Sequence, residues 1–143
     1  MRPLDILRPR RVVHAHCDLP CGVYDPAQAR IEAESVKAIQ EMVQDPSKRK
    51  PPGWSDSQSE EVWQTRALKI KEERADLVKE HLWVLWTDYF KPEHLEKYPD
   101  LHEKFWTATK LAGDSKRSTD PDQGQQLLDA IGDLDKIFWE TKK

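Results

Sequence analysis

The stretch SQSEEVWQTRALKIKEERADLVKEHLWVLWTDYFKP, residues 57–92, decides the fold. Val62, Trp63, Ala67, Ile70, Leu77, His81, Val84 and Leu85 recur at three- and four-residue spacing, the period of one helix face. Ser57 with Glu60 fits a capping box, in which the two side chains satisfy each other's free amides at a helix start. The expected helix runs to about Tyr89, and Pro92 ends or bends it. His81 falls on the apolar stripe and reads as a core histidine with a satisfied hydrogen bond.

The neighbouring segments read the same way. Upstream, Gln44 to Ser59 is a loop, with Pro46, Pro51, Pro52 and Gly53. Its Lys48-Arg49-Lys50 run suits a solvated tip. Before it, Asp25-Pro26 offers an N-cap and a first-turn proline, opening a helix from Ala27 to about Val43. Ile31, Ser35, Ala38, Ile39 and Met42 fall on one side of that helix. Downstream, a helical region from Glu93 to about Leu111 is interrupted by Pro99. A short turn there precedes a main helix carrying Leu101, Phe105 and Trp106. Gly113 to Thr119 reads as a polar loop. Asp120-Pro121 repeats the cap signal, and Leu127, Leu128, Ile131, Leu134, Ile137 and Phe138 face inward along a last helix to about Glu140. No period-2 run is long enough for a sheet. The expectation is an all-α, up-down-up-down four-helix bundle over residues 25–143.

Composition fits one small domain. The chain has 143 residues, 37% hydrophobic and 34% charged, with six tryptophans as large apolar surface. The formal net charge of −3 leaves no basic footprint for nucleic acid. No apolar run approaches the roughly 18 residues that a membrane span needs.

Met1 to Ala15 differs from the rest. It carries Arg2, Arg8, Arg10 and Arg11 against Asp5, and it has no apolar core of the kind a secretory signal requires. It reads as a disordered tail or as a leader propeptide, residues 1–15, cut after Ala15.

The only two cysteines, Cys17 and Cys21, stand together in His16-Cys17-Asp18-Leu19-Pro20-Cys21-Gly22-Val23-Tyr24. One imidazole and two thiols within six residues make a soft donor set that suits copper, nickel, zinc or cobalt. Pro20 and Gly22 bracket Cys21 and favour a tight turn. By spacing alone, two free thiols or one disulfide remain open, and C-x3-C is not the usual zinc-knuckle spacing. Cleavage after Ala15 would add a donor. The free His16 amine, the next amide nitrogen and two thiolates then form an N2S2 set, which favours square-planar nickel(II) or copper(II).

These residues resemble the metal hook of nickel-containing superoxide dismutases. The similarity continues through Asp25-Pro26-Ala27-Gln28-Ala29-Arg30-Ile31-Glu32-Ala33-Glu34-Ser35. It appears again in Gln64-Thr65-Arg66, in Trp86-Thr87-Asp88-Tyr89-Phe90-Lys91-Pro92 and in Lys136-Ile137-Phe138-Trp139-Glu140-Thr141-Lys142-Lys143. The loop from Gln44 to Ser59 is longer than the family leads one to expect.

The resemblance implies a cytoplasmic homohexamer of four-helix subunits, matured by a leader-removing protease. It implies a nickel ion held at a hook, residues 16–24, by the His16 amine, the Cys17 amide nitrogen and the Cys17 and Cys21 thiolates. The His16 imidazole joins as an axial ligand in the oxidised state. The implied reaction converts superoxide to oxygen and hydrogen peroxide while nickel cycles between Ni(II) and Ni(III); anionic amide and thiolate donors bring that couple into range.

By the same resemblance, Glu32 and Arg74 hold the His16 ring, and Tyr24 and Tyr89 are phenols near the open face. Asp18 contributes through its backbone, and Lys91 attracts the anionic substrate. Taken alone, Glu32 and Arg74 read as charges on solvated faces, Lys91 as a residue that follows a helix end, and the tyrosines as ordinary bundle aromatics. His14, His94 and His102 suggest no partner. The competing readings are a nickel- or zinc-binding helical module without redox turnover, and a helical interaction protein with a Cys17–Cys21 disulfide.

Overall fold

A computed structural model describes residues 22–49 and 59–142. The candidate ligands His16, Cys17 and Cys21, with Asp18 and the leader, lie outside the described residues, as does Ser57. Five α-helices follow in order: α1 (Ala27–Gln44), α2 (Glu60–Val84), α3 (Pro92–Lys97), α4 (Leu101–Arg117) and α5 (Pro121–Thr141). A short 3-10 turn spans Pro46–Lys48, and a single π-helical turn, Leu85–Tyr89, extends α2.

The long helices α1, α2, α4 and α5 pack as a ring, each against the next and α5 back on α1. Contacts at the ends fix their directions. The Tyr24 carbonyl, before α1, accepts from the Lys142 amine after α5, and the Tyr24 ring meets that of Tyr89 at the end of α2. At the opposite end, the Gln40 amide in α1 donates to the Ser118 carbonyl just past α4. Gly124, in the first turn of α5, lies against Gln40 and Lys37. The expected up-down-up-down bundle follows from these contacts. Leu82, Leu101, Leu127, Ile131 and Phe138 lie fully buried at its centre, and each such side chain stabilises the fold by roughly 1.5–3 kcal/mol.

The starts of the helices match the cap signals. Asp25 accepts from the Ala27 amide at 2.8 Å, and Asp120 accepts from the Asp122 amide at 3.0 Å. The capping residue of α2 is Ser59, not Ser57: its hydroxyl accepts from the Val62 amide.

The inward faces of the first helices differ from the expected ones. In α1, Ala29, Ala33, Val36 and Gln40 are buried, while Ile31 is exposed. In α2 the buried line is Trp63, Ala67, Lys71, Ala75, Val78 and Leu82, continued by Leu85, and Val62 is exposed. The line runs through a lysine, which hid it from a hydrophobic count. Lys71 sits where α2 passes the end of α4, and its amine donates to the Ser115 and Lys116 carbonyls. A cation thus satisfies the free carbonyls at a helix C-terminus, and desolvation in this buried place pushes its pKa below the usual lysine range. That contact also corrects the loop reading of residues 113–119. Gly113 to Arg117 continue α4, with Ser115 buried. Of the residues carried on α4, Leu101 and Phe105 are buried and Trp106 is exposed, and His81 in α2 is half-buried.

Candidate metal centre

The bundle brings the start of α1 and the ends of α2 and α5 to one end. Gly22 enters this region with φ 71°, a left-handed conformation that glycine adopts without strain. Val23 is exposed and Tyr24 half-buried.

Tyr24 and Tyr89 come together, with ring centroids 5.7 Å apart and planes at 55°. The π-turn places Tyr89. The Phe90 amide reaches back to the Leu85 carbonyl at 3.1 Å, five residues away, and the extra residue re-aims the end of the helix. The Tyr89 ring packs on Phe138 at 4.4 Å and edge-on to Phe90 at 5.0 Å. Its hydroxyl bonds the Thr141 hydroxyl at 2.7 Å.

Glu32 and Arg74 also meet. One guanidinium nitrogen of Arg74 reaches both Glu32 carboxylate oxygens, at 3.1 and 3.2 Å. The glutamate side chain is 15% exposed and the arginine 43%. The pair joins α1 to α2 and fixes the carboxylate, leaving its oxygens able to accept a further hydrogen bond. Lys91 is exposed just beyond the π-turn.

Sequence reasoning missed three neighbours. His94 stacks on Tyr89 with centroids 5.8 Å apart and planes at 20°, and its Nδ1 accepts from the Lys91 amide at 3.1 Å. Thr141 and Lys142 reach Tyr89 and Tyr24 from the end of α5. The Lys142 amine also lies 4.9 Å from the centre of the Phe138 ring. Their one signal was the similarity of Lys136–Lys143 to the family, which carried no role for either residue.

The donor chemistry suits nickel. Two thiols and one imidazole stand within six residues, directly before the glycine turn that leads into α1. Among the described residues no group of three His, Cys, Asp or Glu side chains is placed to hold a metal ion.

A family model described as nickel-containing superoxide dismutase matches residues 11–142. The nickel superoxide dismutase of Streptomyces coelicolor is 56% identical over 138 residues, 96% of each chain. That of Streptomyces seoulensis is 55% identical over the same length and share. A solved native nickel superoxide dismutase superposes with a TM-score of 0.77 at 56% identity, covering 90% of this chain and 100% of that one. A second, with nickel ligation described as that of the oxidised state, gives 0.76 at 57% identity, covering 89% and 98%. The fold and these likenesses place the chain among helical metalloenzymes. The chain belongs to the nickel-containing superoxide dismutase family, and its cofactor is nickel.

Proposed function

We propose that the dismutation of superoxide is carried in this chain by His16, Cys17 and Cys21, on a hook whose base is held by Tyr24 and Tyr89. The chain is a nickel-dependent oxidoreductase acting on superoxide. The observation that supports this placement is the convergence of Tyr24, Tyr89 and their α5 partners where the His16–Tyr24 segment joins the bundle.

In this reading residues 1–15 are a leader, 16–24 the hook and 25–143 the bundle. The His16 amine, the Cys17 amide nitrogen and the two thiolates would hold nickel. Nickel bound there would supply a Ni(II)/Ni(III) couple, for oxidation of one superoxide to oxygen and reduction of a second. Two protons must reach that second superoxide to give hydrogen peroxide. Tyr24 and Tyr89 order the water that carries them and restrict access to the sulfurs, which peroxide would oxidise. Glu32, braced by Arg74, accepts from the His16 ring and sets its orientation. Asp18 steadies the hook through its backbone, and Lys91 raises the local concentration of the anion.

The leader-removing protease, the cytoplasmic setting and a homohexamer complete the reading. Exposed Trp83 and Trp106, beside an apolar cleft of about 180 Å³ between α2 and α4, support burial against further copies. No helix among the described residues is long and apolar enough to cross a membrane.

The test is the N-terminal residue and metal content of protein made with nickel and the processing protease. A mature chain beginning at His16, nickel-loaded and active, is expected. Cys17→Ser or Cys21→Ser should abolish nickel binding. An active, nickel-loaded protein still beginning at Met1 would overturn the amine as ligand. Zinc without nickel would favour a metal-binding module without turnover.

A further inference from the structure

The hydrogen bond between Tyr89 and Thr141 has a direction, which follows from counting protons. The two hydroxyl oxygens are 2.7 Å apart. The Thr141 hydroxyl also bonds the Phe138 carbonyl at 2.7 Å. A carbonyl cannot donate, so Thr141 uses its single hydrogen there. The proton between the two hydroxyls must then come from Tyr89. With its proton given to Thr141, the Tyr89 oxygen is only an acceptor toward anything else that reaches it. Water and hydrogen peroxide can donate to such an oxygen; superoxide and other unprotonated anions cannot.

We propose that Thr141 is a positioning residue that fixes Tyr89 as a hydrogen-bond acceptor and so determines which small molecules the phenol can hold. The inference rests on the reading of Tyr89 as a phenol at the open face. Thr141 acts only through Tyr89. Its own position is set by the last turn of α5, where Phe138 packs under the Tyr89 ring. The charged and titratable groups facing Tyr89 are the Tyr24 phenol, the stacked His94 and the Lys142 ammonium, 5.8 Å from the ring centre. None of them receives the Tyr89 proton. With Thr141 replaced by an isosteric residue that has no acceptor, the phenol proton becomes available to an anion.

The test compares Thr141→Val, Thr141→Ser, Tyr89→Phe and the double variant Thr141→Val/Tyr89→Phe. Azide serves as the anion probe of the nickel-loaded enzymes. In Thr141→Val the inhibition constant for azide and the KM for superoxide should both fall, the former by roughly tenfold, the size of one hydrogen bond to a charged group. Thr141→Ser should restore both, and the double variant should lose the effect. Proton NMR of the nickel-free protein gives a readout independent of turnover. A slowly exchanging Tyr89 hydroxyl proton with a cross-peak to Thr141 is expected in the parent and in Thr141→Ser, and absent in Thr141→Val. If the parent lacks that proton, the proposal is overturned while the placement of Tyr89 at the open face stands. If the proton is present but azide inhibition and KM do not move, the open-face placement of Tyr89 fails and the proposal with it. An equal effect in the double variant overturns the route through Tyr89.

Discussion

Among single residues, the Glu32–Arg74 pair is the sharpest case. Both residues were named from the sequence by resemblance alone, since a glutamate on α1 and an arginine in a charged run are ordinary surface residues. The fold puts them in contact at 3.1 Å although 42 positions separate them. In the proposed role, with Arg74 holding Glu32 for the His16 ring, loss of such an outer partner of a metal ligand costs about 10–100-fold in activity or metal affinity. Arg74→Met should therefore lower dismutation by roughly tenfold and leave the helical circular dichroism spectrum unchanged. Full activity in a well-folded Arg74→Met protein would remove the pair from the site. His94 was illegible for the opposite reason. A histidine after a proline carries no periodic signal, and its stacking on Tyr89 exists only because the π-turn re-aims that ring.

At the level of elements, the packing of α1 on α5 depends on a glycine. A Cβ at Gly124 would come within 2.8 Å of the Lys37 Cβ, 2.9 Å of its Cα and 2.4 Å of the Gln40 side-chain oxygen. Alanine is the better helix former by about 1 kcal/mol, yet Gly124→Ala should lower the melting temperature because backbone, not a flexible tip, must move. Gly132→Ala, in the same helix with nothing within 4 Å, should raise stability by about 0.5–1 kcal/mol. Thermal unfolding of the two variants checks the opposite signs.

The loop before α2 is closed by another contact. Arg49 makes a two-pronged ion pair with Glu60 at 2.7 Å and lies 3.6 Å from the centre of the Trp63 ring. The Arg49 guanidinium, helped by the Gln64 amide, holds Glu60 at about 2 against a usual 4.5. A carboxyl whose folded pKa is depressed stabilises the fold above its unfolded pKa and loses that contribution as pH falls. The parent should thus be more stable than Glu60→Gln above about 4.5, and the gap should close as pH drops toward about 2. A pH-independent gap in melting temperature would contradict the assignment. From sequence, Arg49 read as part of a solvated tip, because neither its stacking on Trp63 nor its pairing across the loop has a local pattern.

For the whole molecule, the class and order of the helices were legible, and their inward faces less so. Proline and aspartate punctuation marks helix starts through local chemistry, so Asp25 and Asp120 were readable. The buried line of α2 was not, because Lys71 occupies a core position by reaching carbonyls of a helix 44 residues away in the chain. The three proposed metal donors, His16, Cys17 and Cys21, stand out as a set because all lie in one short segment. Among the described residues the core comes mainly from α1, α2, α4 and α5, joined by Leu85 and Phe90 around the π-turn. Removing nickel from the mature protein should therefore abolish dismutation and leave far-ultraviolet circular dichroism and the melting temperature of the bundle within a few degrees. Cooperative unfolding on chelation would show instead that the metal holds the fold.

The bond from Lys142 to the Tyr24 carbonyl spans 118 positions of chain. During synthesis Tyr24 leaves the ribosome long before Thr141 and Lys142 do. The contacts of Thr141 and Lys142 with Tyr89 and Tyr24 are therefore absent from a chain still being translated and are completed when the end of α5 docks. Order of translation thus separates, in time, the appearance of the Cys17 and Cys21 thiols from the closing of the Tyr24, Tyr89 and α5 contacts at that end of the bundle.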